Sequence, residues 1–238
     1  MCTLAWGLTG EGLWVVFNRD EQRRRPGADL PEIHAAGSKR AIYARDPVGE
    51  GTWFAATNAG LAIALLNRYP PDGRLPVPGI LSRGQLVLDL AKSDDANAAN
   101  QRLKSISLES YAPFHLFLFS LNGGYYYSWD GSHLSDDGGC PEFLTTSSFR
   151  SGEVEAWRWR RWERLASRSK LPIPEVVSLF KERSADPAFG MTMDRTDART
   201  VSRIEFMMNS EFQTFVYYPR EVDGLDFQGP VCLTNDLG

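Results

Sequence analysis

The sequence is poor in the residues that build disulfide frameworks and metal sites. It has three cysteines and three histidines among 238 residues. Cys2, Cys140 and Cys232 are too scattered for a disulfide framework or a Cys-x-x-Cys metal motif, and no two histidines have the spacing of metal ligands. We therefore expect no metal and no disulfide, as in a protein of a reducing compartment such as the cytoplasm.

Other absences each exclude a class of function. The formal net charge is −4 and the longest basic run is Arg23-Arg24-Arg25, which argues against a nucleic-acid partner. No apolar run approaches ~18 residues, so we expect no membrane insertion. No glycine-rich phosphate loop precedes a helix. Because 42% of the residues are hydrophobic and 24% charged, the chain has a globular composition, and we expect one domain over residues 1–238.

Alternating or continuous apolar runs predict antiparallel strands joined as hairpins. The predicted strands cover residues 3–8, 13–17, 52–57, 61–66, 114–120, 125–129, 143–145, 200–207 and 214–218. The clearest turn is Asn122-Gly123, a dipeptide that supplies positive φ angles. Helical spacing predicts helices from a Ser82 cap to residue 91, from residue 94 or 95 to 103, and over 153–166 and 173–180.

Glycine and proline predict two long loops. Residues 22–39 form the first, and the second contains Pro70, Pro71, Pro76 and Pro78. Hairpins that alternate with grouped helices predict an α+β fold, with helices packed outside antiparallel sheets.

Cys2 is the first candidate for chemistry because it follows the initiator Met1. If Met1 is removed, Cys2 carries a thiol and a free α-amine. The amine has an ordinary pKa of ~7.7–8.0 against ~8.5 for the thiol, so it can accept the thiol proton without a histidine. The alternative is that Cys2 is a small buried apolar residue at the start of a strand.

The polar block Asn18-Arg19-Asp20-Glu21 ends an apolar run and is the second candidate. Strand alternation places Asn18 and Asp20 on one face and Arg19 and Glu21 on the other. A hairpin brings the block beside residue 2, where an aspartate can hold the α-ammonium and an arginine can steady a thiolate or a substrate carboxylate. The alternative is an ion-pair cluster at the surface.

Five motifs, in this order, resemble one known family. They are Met1-Cys2-Thr3, the block at 18–21, Thr57-Asn58-Ala59-Gly60-Leu61 leading to Leu66-Asn67, Ser82-Arg83-Gly84-Gln85-Leu86, and Asp197-Ala198-Arg199-Thr200-Val201-Ser202. Together they resemble the NRDE family, also called the transport-and-Golgi-organisation 2 family, from residue 1 to about residue 219.

That family is similar to N-terminal-nucleophile (Ntn) cysteine hydrolases of the choloylglycine and penicillin V acylase type. The resemblance implies a four-layer αββα sandwich, with two antiparallel sheets between helical layers. It also implies Cys2 as the nucleophile, Arg19 and Asp20 as its neighbours, and Asn67 as a donor to the oxyanion. One such donor is worth ~2.7–4 kcal/mol in the transition state. From its position alone, Asn67 is a turn residue.

The sequence departs from the hydrolase pattern at two places. In the hydrolases the arginine precedes the aspartate by three positions, whereas Arg19 and Asp20 are adjacent, so Asn18 or Glu21 can occupy one of those places near the substrate. A Leu-Thr-Asn segment of the hydrolases corresponds to Leu144-Thr145-Thr146. Thr146 or Ser147 can supply a hydroxyl there but no amide N–H. A further arginine of the hydrolases has Arg199 or Arg203 as its candidate counterpart.

The segment Trp157-Arg158-Trp159-Arg160-Arg161-Trp162 lies in a predicted helix. Helical spacing puts Trp159 and Trp162 on one face and Arg158 and Arg161 on another side. We interpret the tryptophans as a packing face and the arginines as solvated. The alternative is a surface for a partner or for lipid headgroups.

The leading hypothesis is an Ntn-type cysteine amidohydrolase that acts on a non-peptide amide bond of a small molecule. This hypothesis requires removal of Met1 and no metal or organic cofactor. The alternative is a binding or trafficking protein on the same fold, with a lipid, acyl-coenzyme A or haem as its apolar ligand. The sequence predicts no oligomeric state.

Overall fold

Two antiparallel sheets and four helices make up the part of the chain that the structure, a computed structural model, describes: residues 1–70, 79–136, 139–168, 171–221, 224 and 226–237. The strands are β1 (Cys2–Thr9), β2 (Gly12–Gln22), β3 (Glu32–Ala36), β4 (Lys39–Tyr43), β5 (Phe54–Thr57), β6 (Leu61–Asn67), β7 (Phe114–Ser120), β8 (Gly123–Trp129), β9 (Leu134–Ser135), β10 (Phe143–Thr146), β11 (Ala198–Met208), β12 (Phe212–Pro219) and β13 (Val231–Asp236). The helices are α1 (Arg83–Leu90), α2 (Ala96–Ser105), α3 (Ser151–Ala166) and α4 (Ile173–Lys181).

The first sheet has the strand order β10-β1-β2-β11-β12-β13, and the second has the order β3-β4-β5-β6-β7-β8-β9. The inner faces of the two sheets meet in an aromatic core, where the Phe54 ring lies 5.5 Å from Phe206 and 5.7 Å from Phe215. Helices α1 and α2 cover the outer face of the second sheet, and α3 and α4 cover that of the first. This is the αββα sandwich that the resemblance implies.

The hairpin of β1 and β2 places the start of the chain at the centre of the first sheet. Strand β1 pairs with β2 along its whole length and with β10 on its other side. Strand β2 is buried from Leu13 to Asp20 because sheets and helices cover both of its faces. The polar block at 18–21 therefore continues the strand beyond the predicted end at residue 17, with the predicted alternation of faces.

The predicted hairpins and helices are all present, with small differences at their ends. Asp95 caps α2, since its carboxylate accepts a hydrogen bond from the Ala98 amide at 2.7 Å. Ser82 is the N-cap residue of α1, but its side chain does not cap the helix. At the β7–β8 turn only Gly123 has a positive φ, 121°.

The prediction of a loop over residues 22–39 was wrong for the second half of that range. Strand β3 occupies Glu32–Ala36 and pairs with β4 at the edge of the second sheet. Strands β4 and β13 were also missed. Residues 71–78 of the predicted proline-rich loop lie outside the described part of the chain.

No helix in the described ranges is long and apolar enough to cross a membrane.

The arginines of α3 do not all face solvent, which corrects the sequence interpretation. Trp162 stacks on Phe143 and Trp159 meets the same ring edge-on, as expected of a packing face. Arg158, however, is 1% exposed and lies between α3 and the first sheet. It is tolerated there because oxygen atoms surround its guanidinium, and one of them belongs to Asp20.

Candidate functional site

Cys2 lies on the base of a cleft of about 780 Å³ that opens between the two sheets. In the sheet it pairs with Arg19 on one side and with Thr146 on the other. Arg19, Asp20, Glu21 and Asn67 also line this cleft. The topology thus brings together residues far apart in sequence, since β1 is the neighbour of both β2 and β10.

The backbone nitrogen of Cys2 is bound by the predicted threonine. Its N–H donates to Thr146 Oγ1 at 3.2 Å. Burial raises the pKa of the Cys2 thiol, and this effect outweighs the positive charges of the N-terminus and Arg19, which lower it. With Met1 in place the thiol is therefore protonated at neutral pH.

The Met1 ammonium occupies a polar corner of the cleft. It donates to Tyr69 Oη at 2.8 Å and to the backbone oxygen of Asp20 at 3.5 Å. Asn67 Nδ2 donates to the same Tyr69 oxygen at 3.3 Å. Burial lowers the pKa of this ammonium, but Tyr69, Cys2 and Asp20 together raise it to about 10. The corner is therefore built to hold a protonated amine.

Asp20 contacts the N-terminus through its backbone, whereas its carboxylate is bound elsewhere. The Asp20 N–H donates to the Met1 carbonyl at 3.0 Å. Its Oδ1 accepts from Thr200 Oγ1 at 2.6 Å, and its Oδ2 lies 3.4 Å from Arg158 Nη2. These contacts fix the end of β2 beside Cys2.

Arg19 is fixed between two carboxylates and an aromatic ring. Its Nη2 lies 2.6 Å from Asp46 Oδ2 and 3.4 Å from Glu21 Oε2, and its guanidinium carbon lies 4.1 Å above the Trp53 ring. Asp46 also binds Arg25 at 3.0 Å. Burial raises the pKa of Asp46, but the Gly49 N–H, Arg19 and Arg25 hold it below its ordinary value. The Asp46 carboxylate is therefore ionised at neutral pH.

Three predicted site residues, Asn18, Thr146 and Arg199, lie outside the cleft lining. Asn18 faces the helical layer, where its Nδ2 donates to the carbonyls of Phe180 at 2.8 Å and Met191 at 2.9 Å. Arg199 lies on β11 opposite Glu21 in the sheet. Asn18 thus joins the first sheet to the segments around α4 and does not face the space where a substrate would lie.

Sequence reasoning missed four residues of the cleft: Asp46, Trp53, Tyr69 and Arg83. Arg83 belongs to one of the family motifs, and that motif was the only signal for it. Arg83 is the first residue of α1, and its guanidinium donates to the Pro113 carbonyl at 2.9 Å. Burial lowers the pKa of this guanidinium. No pattern in the sequence connects Asp46 or Trp53 with Arg19, because the contact depends on how the two sheets face each other.

The described residues contain no group of three histidine, cysteine, aspartate or glutamate side chains that could hold a metal ion. The residues that line the cleft carry a thiol, an α-amine, guanidinium groups, carboxylates, hydroxyls and an amide.

Comparisons with known proteins agree with this architecture. Residues 1–214 match the family described as Transport and Golgi organisation 2. Among curated proteins, no sequence match reaches significance.

Two solved structures share the fold at low sequence identity. The Caenorhabditis elegans ortholog of N-acylethanolamine-hydrolyzing acid amidase superposes with a TM-score of 0.57 at 10% identity, covering 87% of this chain and 92% of its own. A mutant of the conjugated bile acid hydrolase from Clostridium perfringens gives 0.52 at 12% identity, covering 96% of each chain. Both are Ntn-hydrolase-type proteins, so the two sheets and their helices form an Ntn-hydrolase fold.

Proposed function

The chain belongs to the transport and Golgi organisation 2 family and has an Ntn-hydrolase fold, and on this premise we propose that it is a cysteine amidohydrolase. Its substrate is a small molecule with a non-peptide amide bond. Cys2 becomes the N-terminal residue and the nucleophile when Met1 is removed. Both structural neighbours are named as hydrolysing enzymes, and one as an amidase.

One observation carries the proposal: Cys2, at the first position of β1, lines the cleft, so one residue of the lining carries both the nitrogen and the thiol. Removal of one residue turns that nitrogen into a free amine. Thr146 Oγ1 then orients the amine through the existing 3.2 Å contact. An amine beside a thiol is a sufficient base for acyl transfer.

The reaction follows from these positions. The Cys2 amine takes the thiol proton while Sγ attacks the amide carbon, and the C–N bond breaks as the amine gives that proton to the leaving nitrogen. A water molecule then attacks the thioester and gives one proton to the Cys2 amine, which passes it to the departing Sγ, so that a carboxylic acid and the free thiol are released. Amide plus water becomes acid plus amine, with no redox step.

Arg19 and Asn67 are the proposed supports for charge in this reaction. Asn67 lines the cleft near the N-terminus and carries an amide N–H that can donate to the oxyanion. Such a donor contributes ~2.7–4 kcal/mol to transition-state stabilisation. Arg19 faces the same side of the sheet as Cys2, where its positive charge favours the thiolate.

The test uses p-nitrophenyl acetate, an activated ester, with protein whose N-terminus has been verified as Cys2. We expect a burst of one p-nitrophenolate per chain and an acetyl group on Cys2 in the peptide mass spectrum. Cys2→Ala should abolish the burst. Cys232→Ala is the matched control because Cys232 is an exposed thiol on β13, far along the chain from the cleft residues. Equal acylation of all cysteines would contradict the proposal.

A second candidate is ligand binding without hydrolysis, and the composition of the cleft favours it. Arg19, Arg24, Arg25 and Arg83 line the cleft together with Trp53, a combination suited to an apolar ligand with an acidic group. If this candidate holds, Cys2→Ala should leave the affinity for a fluorescent fatty acid unchanged and the parent protein should show no burst.

A further inference from the structure

The Met1 side chain fills a cradle that is distinct from the open part of the cleft. Met1 is 7% exposed and packs against Met193 and Ala198, with Tyr69 at the edge. Its sulfur lies 3.8 Å from Ser147 Oγ and 3.4 Å from Arg195 Nη1. We call these residues, Tyr69, Ser147, Met193, Arg195 and Ala198, the Met1 cradle.

The walls of the Met1 cradle are held by contacts that do not involve Met1. The Met193 N–H donates to Thr200 Oγ1 at 2.8 Å, and Ser147 Oγ donates to the Phe149 carbonyl at 2.7 Å. Arg195 lies with its guanidinium carbon 4.4 Å above the Phe149 ring. When Met1 leaves, the cradle therefore remains as a preformed space beside the new N-terminus, and preformed apolar spaces bind apolar groups.

The position of the Met1 nitrogen places any amine bound in this space next to the Cys2 amine. The nitrogens of Met1 and Cys2 are three covalent bonds apart, so they lie within about 3.7 Å of each other. A leaving nitrogen at the Met1 position can receive the proton that the Cys2 ammonium carries. Tyr69 Oη and the Asp20 carbonyl, which bind the Met1 ammonium at 2.8 and 3.5 Å, then hold the released amine.

We propose that the Met1 cradle is the leaving-amine subsite of the processed protein, and that it selects a primary amine with an unbranched alkyl or thioether chain of about methionine's length. This inference rests on the proposed function. The C–N bond that breaks joins the acyl group to this amine, and the amine leaves with the proton that Cys2 transfers.

The cradle's composition accounts for the selection. Met193 and Ala198 give it apolar walls of the width that an unbranched chain requires. Arg195 Nη1 places an N–H near the sulfur position, and a thioether sulfur is a weak acceptor for such a donor. A chain branched at the carbon that corresponds to Met1 Cβ, as in neopentylamine, would meet walls that already contact the unbranched side chain.

The probe is 3-(methylthio)propylamine, which has the Met1 nitrogen, Cα and side chain but no carbonyl carbon to collide with Cys2. We measure how much it slows alkylation of Cys2 by iodoacetamide in protein that begins at Cys2. We expect protection at a concentration about tenfold below that required by neopentylamine, a branched amine, because the unbranched chain buries more apolar surface in the cradle. Protein that keeps Met1, prepared with methionine aminopeptidase inhibited, should show no protection.

Two variants test the location. Ala198→Leu narrows the cradle and should remove the protection. Met193→Ala enlarges it and should shift the preference to 5-(methylthio)pentylamine, a gain that a misfolded protein cannot produce. Equal protection by branched and unbranched amines, or unchanged preference in Met193→Ala, would overturn this inference. The burst with p-nitrophenyl acetate would still report on the proposed function, since an ester test needs no amine subsite.

Discussion

Arg158 and Asp20 form an ion pair enclosed between α3 and β2. Arg158 Nη2 lies 3.4 Å from Asp20 Oδ2, and the side chains are 1% and 0% exposed. The same guanidinium donates to Thr3 Oγ1 at 2.8 Å and to the Gly190 carbonyl at 2.9 Å. Arg158 therefore connects the helical layer to the two strands that carry Cys2 and its neighbours.

Replacing Arg158 should destabilise the fold strongly. Arg158→Met leaves the Asp20 carboxylate buried without its cationic partner, which typically costs ~3–5 kcal/mol. The free energy of unfolding from urea denaturation measures the loss. Arg160→Met on the exposed side of α3 is the matched control and should change stability by less than about 0.5 kcal/mol. Similar midpoints for the two variants would contradict this role of Arg158.

Replacing Tyr69 should weaken the binding of the Met1 ammonium. In protein that keeps Met1, Tyr69→Phe removes a hydrogen bond to a charged group, worth about 1.5–3 kcal/mol at pH 7. The pKa of this ammonium is about 10 in the folded chain against 8.0 ordinarily, so its contribution is complete below pH 8 and is lost as the pH rises through 10.

The measurement is the difference in free energy of unfolding between the parent and Tyr69→Phe, taken from pH 7 to pH 10.5. The control is Tyr125→Phe, which alters a half-buried tyrosine whose hydroxyl makes an exposed hydrogen bond to Asn97. A difference that stays constant across this range would show that Tyr69 does not act through the ammonium.

Asp46 should give the protein an acid-sensitive stability. Its pKa is held below the ordinary 3.8, so the ionised form stabilises the fold above that pH, and the contribution is lost as the pH falls through the lower folded value. Asp46→Asn should therefore be less stable than the parent at pH 7, and the two should converge below pH 3.8. If the stabilities of Asp46→Asn and the parent diverged as the pH falls, this stabilising role of the ionised Asp46 would be refuted.

Thr146 should orient the Cys2 amine. Thr146→Val keeps the shape of the side chain but removes the acceptor 3.2 Å from the Cys2 nitrogen. We expect the acylation burst with p-nitrophenyl acetate to slow by about tenfold, the value of one hydrogen bond. Thr146→Ser keeps the hydroxyl and should retain most of the rate. A valine variant as fast as the serine variant would remove Thr146 from the mechanism.

Most of the fold could be predicted from the sequence because the patterns that define its hairpins and helices are local. The β1–β2 and β7–β8 hairpins have short turns and clear apolar patterns, and Asp95 marks the start of α2. Strand β3 was missed because an edge strand with exposed residues has a weak apolar signal. Strand β13 was missed for the same reason, since its side chains alternate between half-buried and exposed.

The site was only partly accessible from the sequence. The resemblance pointed to Cys2, Arg19 and Asn67; strand pairing places Arg19 beside Cys2, whereas Asn67 lines the same cleft from the second sheet. The Arg158–Asp20 pair and the Arg19–Asp46 pair join residues that are distant in the chain. Their formation depends on how the layers stack, which single-residue patterns do not encode.

The central claim is that Cys2 acts as an N-terminal nucleophile, and the mass of the N-terminal peptide tests it most directly. Protein is purified from its native cells, treated briefly with p-nitrophenyl acetate, digested and analysed by mass spectrometry. The account predicts an N-terminal peptide that begins at Cys2 and carries an acetyl group on sulfur. A peptide that begins at Met1 in every molecule, with Cys2 unmodified, would contradict it.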